Sequence, residues 1–456
     1  MGVDRSRPPE VGADPAFRFP DIVRHTLSNG LDLRTVEHRA VPVVTIVVQV
    51  EGGSGADPAR QEGLAAIAAD MVDEGTGSLS AIDVSDAIAR LGAEYDVDVG
   101  PDVTTFSLTT LARFAERGMS LLADLVIRPS LRDGDFQRVR QLRLDRLRQL
   151  KDVAPAVAER AFLRLLYGEH PYGHLAIGTD AALRELGVDD VAGFHRGRFV
   201  PAQSTLIVAG DMTHEEMRAL AERVFGGWED HAVPVAWGRA SEIEPAPNAG
   251  ARLAIVPREG AAQSELRIGH LSSRRNTPDY PALLVMNSVL GGQFVSRVNL
   301  KLREEKGFTY GARTGFDWRR GLAPFSLSAS VHTAATAEAV QDAHAELEGL
   351  RGSRPVISTE LVLAKASLTR GYPRNFETAG QVARGVAQLA LYGLPDTYFQ
   401  EFVPKVNAVA GDDVTRVAAA YLDPSRLTTL VVGDHPAVID SLRRLFGYPV
   451  LMSPEV

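Results

Sequence analysis

The chain has 456 residues, 45% of them hydrophobic and 23% charged, the profile of a soluble globular protein with sizeable cores. A net charge of −9 gives no general basic field for nucleic acid, and zero cysteines exclude disulfides and thiolate metal sites. No apolar run approaches the ~20 residues needed to span a bilayer, so no membrane role is expected.

Residues 1–22 lack an apolar signal core and read as a disordered lead. The location expected by default is cytoplasmic, with a periplasmic or secreted chain left open. Residues 25–50 read as two strands. TLSNGLDLRTVEH carries an Asn-Gly turn signal, and VPVVTIVVQV is a dense β-branched run. The loop EGGSGADPARQ leads into a helix, GLAAIAADMV, and a second helix covers residues 80–91. Residues 95–111 alternate as two strands around Gly100-Pro101. Helices follow over 112–126, from 133 to 151, and over 157–166. The loop HPYGHLAIG precedes a helix over 188–198, the strand STLIVAG and a helix over 215–225. The basic run from Arg138 to Arg148 carries Leu142, Leu144 and Leu147 at helical spacing, which reads as a solvated helix face.

Residues 230–251 are rich in Pro, Ala and acidic side chains, without periodicity, and read as a linker. Then the pattern restarts. VTIVVQVEGGSGADPARQEGLAAIAADMV lies over ELRIGHLSSRRNTPDYPALLVMNSVL, and TLIVAGD over TLVVGD. The order and spacing predict an α+β chain of two similar domains, residues 23–229 and 252–456. Each would be a largely antiparallel sheet with helices packed on it.

In the second half, LGGQFVSRVNLKLREEKGFTYGA opens with Gly291-Gly292 and runs as a helix with Val295, Val298, Leu300 and Leu302 at apolar positions. It ends at Lys306-Gly307. Arg303 then falls near the helix exit and Tyr310 on the departing strand, where one turn can aim both at one spot. The local residues equally allow Arg303 to pair with Glu304 or Glu305 and Tyr310 to pack its ring in the core. Phe316, Trp318, Tyr372 and Phe376 fit either a chamber lining or core packing.

The phrases NGLDLRTVEHRAVPVVTIVVQVEGGSGADP, EGLAAIAADMVDEGT, HPYGHLAIGT, TLIVAGD, LGGQFVSRVNLKLREEKGFTYGA and TLVVGD, in this order, resemble the pitrilysin and mitochondrial processing peptidase family of zinc peptidases, the inverzincins. The resemblance covers nearly the whole chain. The family's active form carries H-x-x-E-H on a helix: two His bind zinc and the Glu is the general base. In GLAAIAADM the first His position falls on Ala66, the Glu position on Ala69 and the second His position on Asp70. The third ligand's position, 76 residues beyond Asp70, falls on Arg146. Alanine cannot ligate, and an arginine repels a cation. None of the eleven His completes the motif elsewhere, and His170 and His174 flank a Pro-Tyr-Gly loop.

The resemblance therefore implies the zinc-less subunit of a heterodimeric, or larger, metalloendopeptidase, inactive alone. Its partner would be a homologous H-x-x-E-H chain holding the zinc. Arg303 and Tyr310 match the Arg/Tyr pair that such subunits contribute to the partner's site. Arg303 would hold a carbonyl or carboxylate of an unfolded peptide substrate. Tyr310 would donate a hydrogen bond to the oxyanion formed as the peptide is attacked. A structural scaffold subunit or a stand-alone peptide-binding protein is the alternative.

Overall fold

A computed structural model describes residues 6, 17–229, 239–245 and 252–453. Most of the expected lead and most of the expected linker lie outside those residues. Phe17 and Phe19, near the lead's end, pack edge-on and stacked against Tyr372, Phe376 and Phe399, and Phe19 is fully buried.

The first half carries β1 (Ile22–Thr26), β2 (Asp32–Glu37), β3 (Val43–Glu51), β4 (Glu94–Val99), β5 (Val103–Leu111) and β6 (Ser204–Gly210), in sheet order β1-β2-β6-β3-β5-β4. The second carries β7 (Leu253–Pro257), β8 (Gln263–Leu271), β9 (Thr309–Phe316), β10 (Pro324–His332), β11 (Thr428–Gly433) and β12 (Val450–Leu451), in order β12-β7-β11-β8-β10-β9. Five strands of each sheet correspond one to one. β2 runs parallel to β6 as β7 does to β11, and the remaining three neighbours pair antiparallel in both sheets. The duplication seen in the sequence is thus one of topology. Residues 25–50 contain the end of β1 and two further strands, because the Asn29-Gly30 turn closes a hairpin, with Gly30 at φ 86°.

β3 is buried along nearly its whole length because both of its faces are covered. Val44, Ile46, Val48 and Val50 face the core built with the first half's own helices. Val47, of opposite parity, faces a core shared with the second half. The covering element on that face is the helix Ala379–Tyr392, which packs on β3 and β6. The helix Ala154–Tyr167 makes the reciprocal crossing onto β8 and β11, and buries Ala158, Ala161 and Phe162 against Ala254, Val256, Leu430 and Val432. Each sheet therefore takes one of its covering helices from the other half. Phe316 and Trp318 stack at 4.6 Å on the second core, and Tyr372 stacks at 4.4 Å on Phe402.

Candidate functional site

Two clusters carry the polar chemistry anticipated from the sequence. The first surrounds the short helix Leu64–Asp70. Asp57 anchors its start. One carboxylate oxygen accepts from the Ala65 N–H at 2.7 Å, and the other accepts from the Gly63 N–H at 2.7 Å and from His174 Nε2 at 2.9 Å. Gly63 at φ 102° turns the chain into the helix, and a Cβ there would come within 2.9 Å of the Gly178 backbone. Ala66 and Ala69 are buried and present methyl groups only. Asp70 is partly exposed, and its Oδ2 lies 2.7 Å from Arg143 Nε on the helix Asp133–Lys151. Arg143 also reaches the Ala176 carbonyl at 3.4 Å. Arg146 is one turn further along, with Nη1 3.4 Å from Gln149 Oε1. These side chains, with Asp73 and Tyr95, line a cavity of about 710 Å3.

Zinc does not fit this donor set. Ala66 and Ala69 offer no donor, Arg146 carries a fixed positive charge, and the one carboxylate at a ligand position is engaged by a second guanidinium. Among the described residues no group of three or more His, Cys, Asp or Glu side chains is placed to hold a metal ion. His170 is likewise engaged: Nε2 bonds the Ile243 carbonyl at 3.0 Å and Nδ1 accepts from the Tyr172 N–H at 3.1 Å. Arg143 was not singled out in the sequence. Its signal is its place one helical turn before Arg146, where it shares a face with that residue.

The second cluster lies at the exit of the segment after Gly291-Gly292. Arg303 and Tyr310 come together, with the Arg303 guanidinium carbon 5.2 Å from the Tyr310 ring centroid and 4.1 Å from that of Phe294. Tyr310 is 90% exposed, so its ring is not part of the core. Arg303 Nε lies 3.5 Å from Glu304 Oε1, so the pairing with Glu304 that the local residues allow is present beside the two ring contacts. The helix expected through this stretch is irregular. A single α-turn, Arg297–Asn299, passes into a π-helical segment, Leu300–Glu305. Val298 and Leu302 are buried as expected; Val295 lies ahead of the first helical residue, Arg297, and is half-exposed, as is Leu300 at the start of the π-helical segment.

Three interactions fix the pair. Asn299 is buried; its Oδ1 accepts from the Ala312 N–H at 3.0 Å and its Nδ2 donates to the Phe294 carbonyl at 2.9 Å, which ties the loop to β9. Thr314 N–H donates to the Gly291 carbonyl at 3.1 Å, and a Cβ on Gly291 would lie 2.6 Å from that nitrogen. Thr309 Oγ1 bonds both the carbonyl and the N–H of Gly311 where β9 slips register against β10. The resulting bulge turns Tyr310 outward. Asn299, Phe294 and Thr309 were invisible as site residues in the sequence because each acts through contacts that only the folded loop creates.

The model of the M16 (insulinase) peptidase family matches residues 35–180, which contain the first cluster. The model of the M16 inactive domain matches residues 185–368, which contain the second. An uncharacterized zinc protease of Mycobacterium leprae is 26% identical over 423 residues, 90% of this chain and 93% of that protein. The probable mitochondrial-processing peptidase subunit beta of Schizosaccharomyces pombe is 24% identical over 60% of this chain and 59% of its own length. Among solved structures, the peptidase M16 inactive domain from Pseudomonas fluorescens superposes with a TM-score of 0.83 at 21% identity, covering 91% of this chain and 98% of that one. A protease from Helicobacter pylori gives 0.83 at 20% identity, over 91% and 99%. One match contains the motif helix, the other contains the Arg303–Tyr310 platform, and the chain belongs to the M16 peptidase family.

Proposed function

We propose that this chain is the non-catalytic subunit of a two-chain zinc endopeptidase, binding peptide and completing the active site of a homologous H-x-x-E-H partner through Arg303 and Tyr310. One observation carries the reading. The motif helix has lost its donors to Ala66, Ala69 and the Arg143–Asp70 pair, while Arg303 and Tyr310 stand together on an exposed, pinned platform. A core role would bury Tyr310, and a purely structural loop has no use for its 90% exposure.

In this reading the domain of residues 23–229 carries the degenerate motif and that of residues 252–456 carries the pair. β9 is the edge strand of its sheet, but the Ala312 and Thr314 N–H groups are taken by Asn299 and Gly291, so in this reading the peptide is held by the Arg303 and Tyr310 side chains rather than by strand addition. Phe294, Val295 and Leu300, all exposed, give the same region an apolar surface for the partner. Arg303 holds a peptide carbonyl or carboxylate with its planar fork. The Tyr310 hydroxyl donates to the oxyanion of the tetrahedral intermediate. The zinc and the general base belong to the partner. No helix among the described residues is long and apolar enough to cross a membrane.

The test mixes the purified chain with an H-x-x-E-H chain encoded beside it and follows cleavage of unfolded peptides. Activity that needs both chains supports the proposal. Peptide binding without stimulation of any partner favours the stand-alone binder, and stable assembly without stimulation favours the scaffold.

A further inference from the structure

The loop of residues 170–178 separates two cavities. Ala176 and Ile177 face the degenerate motif. His174, Leu175 and Gly178 face the other side, onto a second cavity of about 490 Å3 that Arg60, Arg160 and Arg164 also line. Arg160 comes from the exchanged helix Ala154–Tyr167. It is only 8% exposed, and its Nη2 is enclosed without a hydrogen-bond partner. Burial pushes its pKa down with no carboxylate to offset it.

Among the described residues each other buried arginine has at least one polar partner, Arg198 donating to Gln203 Oε1 at 3.4 Å, although one nitrogen of each of Arg34, Arg198 and Arg319 is enclosed without a hydrogen bond as well. Arg34 pairs with Asp32, Arg267 with Glu265, Arg319 with Asp317, and Arg275 donates to the Tyr398 hydroxyl. The carboxylates of Asp57, Glu62 and Glu169 line the same cavity and bond other groups. Asp57 is taken by two backbone N–H groups and His174, Glu169 by Arg164, and Glu62 receives the Arg60 N–H. Buried charges in folded proteins are ordinarily paired, and Arg160 lines a cavity of small-molecule size.

We infer that this cavity binds a small organic anion, with its carboxylate or phosphate group on the Arg160 guanidinium and its apolar part against Pro58, Pro171 and Leu175. The planar fork suits either oxyanion. Because the wall is the 170–178 loop, the ligand holds that loop from the side opposite the degenerate motif. The inference stands apart from the peptidase-subunit proposal and needs no partner chain.

The experiment titrates the intact chain with sodium butyrate and, separately, with inorganic phosphate, against sodium chloride at equal ionic strength, by calorimetry and thermal unfolding. Butyrate or phosphate raises the unfolding temperature beyond chloride, and the one that does so names the group. Arg160→Gln weakens that binding about tenfold or more. It also leaves the ligand-free chain no less stable, since it removes an unpaired charge. Ala181→Trp, at the cavity rim, abolishes the effect with Arg160 intact. Neither anion acting beyond chloride on the wild type, or a response that survives both substitutions, overturns the assignment.

Discussion

Arg143 reaches from the Asp133–Lys151 helix to place Nε 2.7 Å from Asp70 Oδ2. In the proposed reading this pair takes the second His position of H-x-x-E-H, and it does more than remove a ligand. It installs a second cation beside Arg146 in the same cavity. Restoring donors alone is therefore insufficient. The fourfold variant Ala66→His, Ala69→Glu, Asp70→His, Arg146→Glu leaves Arg143 without its carboxylate and facing the metal. Adding Arg143→Leu is expected to raise zinc affinity about tenfold by removing that repulsion, read by competition with a chromogenic chelator. Equal affinity with and without Arg143 would show that the ion pair is incidental.

Tyr310 offers the most direct test of the oxyanion role. Its exposure predicts that Tyr310→Phe changes stability by less than about 0.5 kcal/mol. With the catalytic partner present, kcat should fall about 10²–10³-fold, the usual consequence of losing one oxyanion donor. Steady-state kinetics of the mixed chains, with assembly checked by size-exclusion chromatography, separates a chemical defect from a binding one. An unchanged kcat removes Tyr310 from the chemistry.

Asn299 is expected to matter without touching substrate. Its amide bridges the Phe294 carbonyl and the Ala312 N–H from a buried position. Asn299→Ala strands both backbone groups, at about 1–3 kcal/mol, and frees the Arg303–Phe294 loop from β9. Denaturant unfolding should report the stability loss. The mixed-chain assay should show a raised KM as Arg303 loses its fixed position. Lost stability with unaltered kinetics would confine Asn299 to a structural role.

The duplication of an antiparallel α+β unit and the lack of donor side chains at Ala66 and Ala69 are legible in the sequence because they rest on local signals. These are the β-branched run of β3, the Asn29-Gly30 turn, and the register of GLAAIAADM. What escapes is set by distant contacts. Nothing within residues 379–392 says that their helix covers β3 and β6 rather than its own sheet; the apolar stripe is the same in either case. Asp70 reads as a leftover carboxylate until Arg143, 73 residues away, is seen to hold it. The π-helical turn at residues 300–305 has a normal helical sequence, and the ties of Asn299 and Gly291 to β9 that precede it exist only in the folded chain.

The motif cavity also carries a pH signature. Burial pushes Asp73 up to about 6, and the nearby carboxylates of Glu74 and Asp70 add to the shift. The unfolded chain releases this proton near 3.9. Between about pH 4 and 6 the folded state therefore holds the proton that the unfolded state has lost, and Asp73's contribution to stability falls as pH rises through that window. At pH 7 the wild type bears the whole penalty. Asp73→Asn, which cannot ionise, should be more stable than wild type at pH 7 by about 1–2 kcal/mol, discounted for partial solvent access. The gain should shrink to nothing near pH 4. Urea unfolding of both proteins at half-unit steps from pH 4 to 7 measures the difference directly, and parallel curves would mean that Asp73 titrates normally in the folded chain.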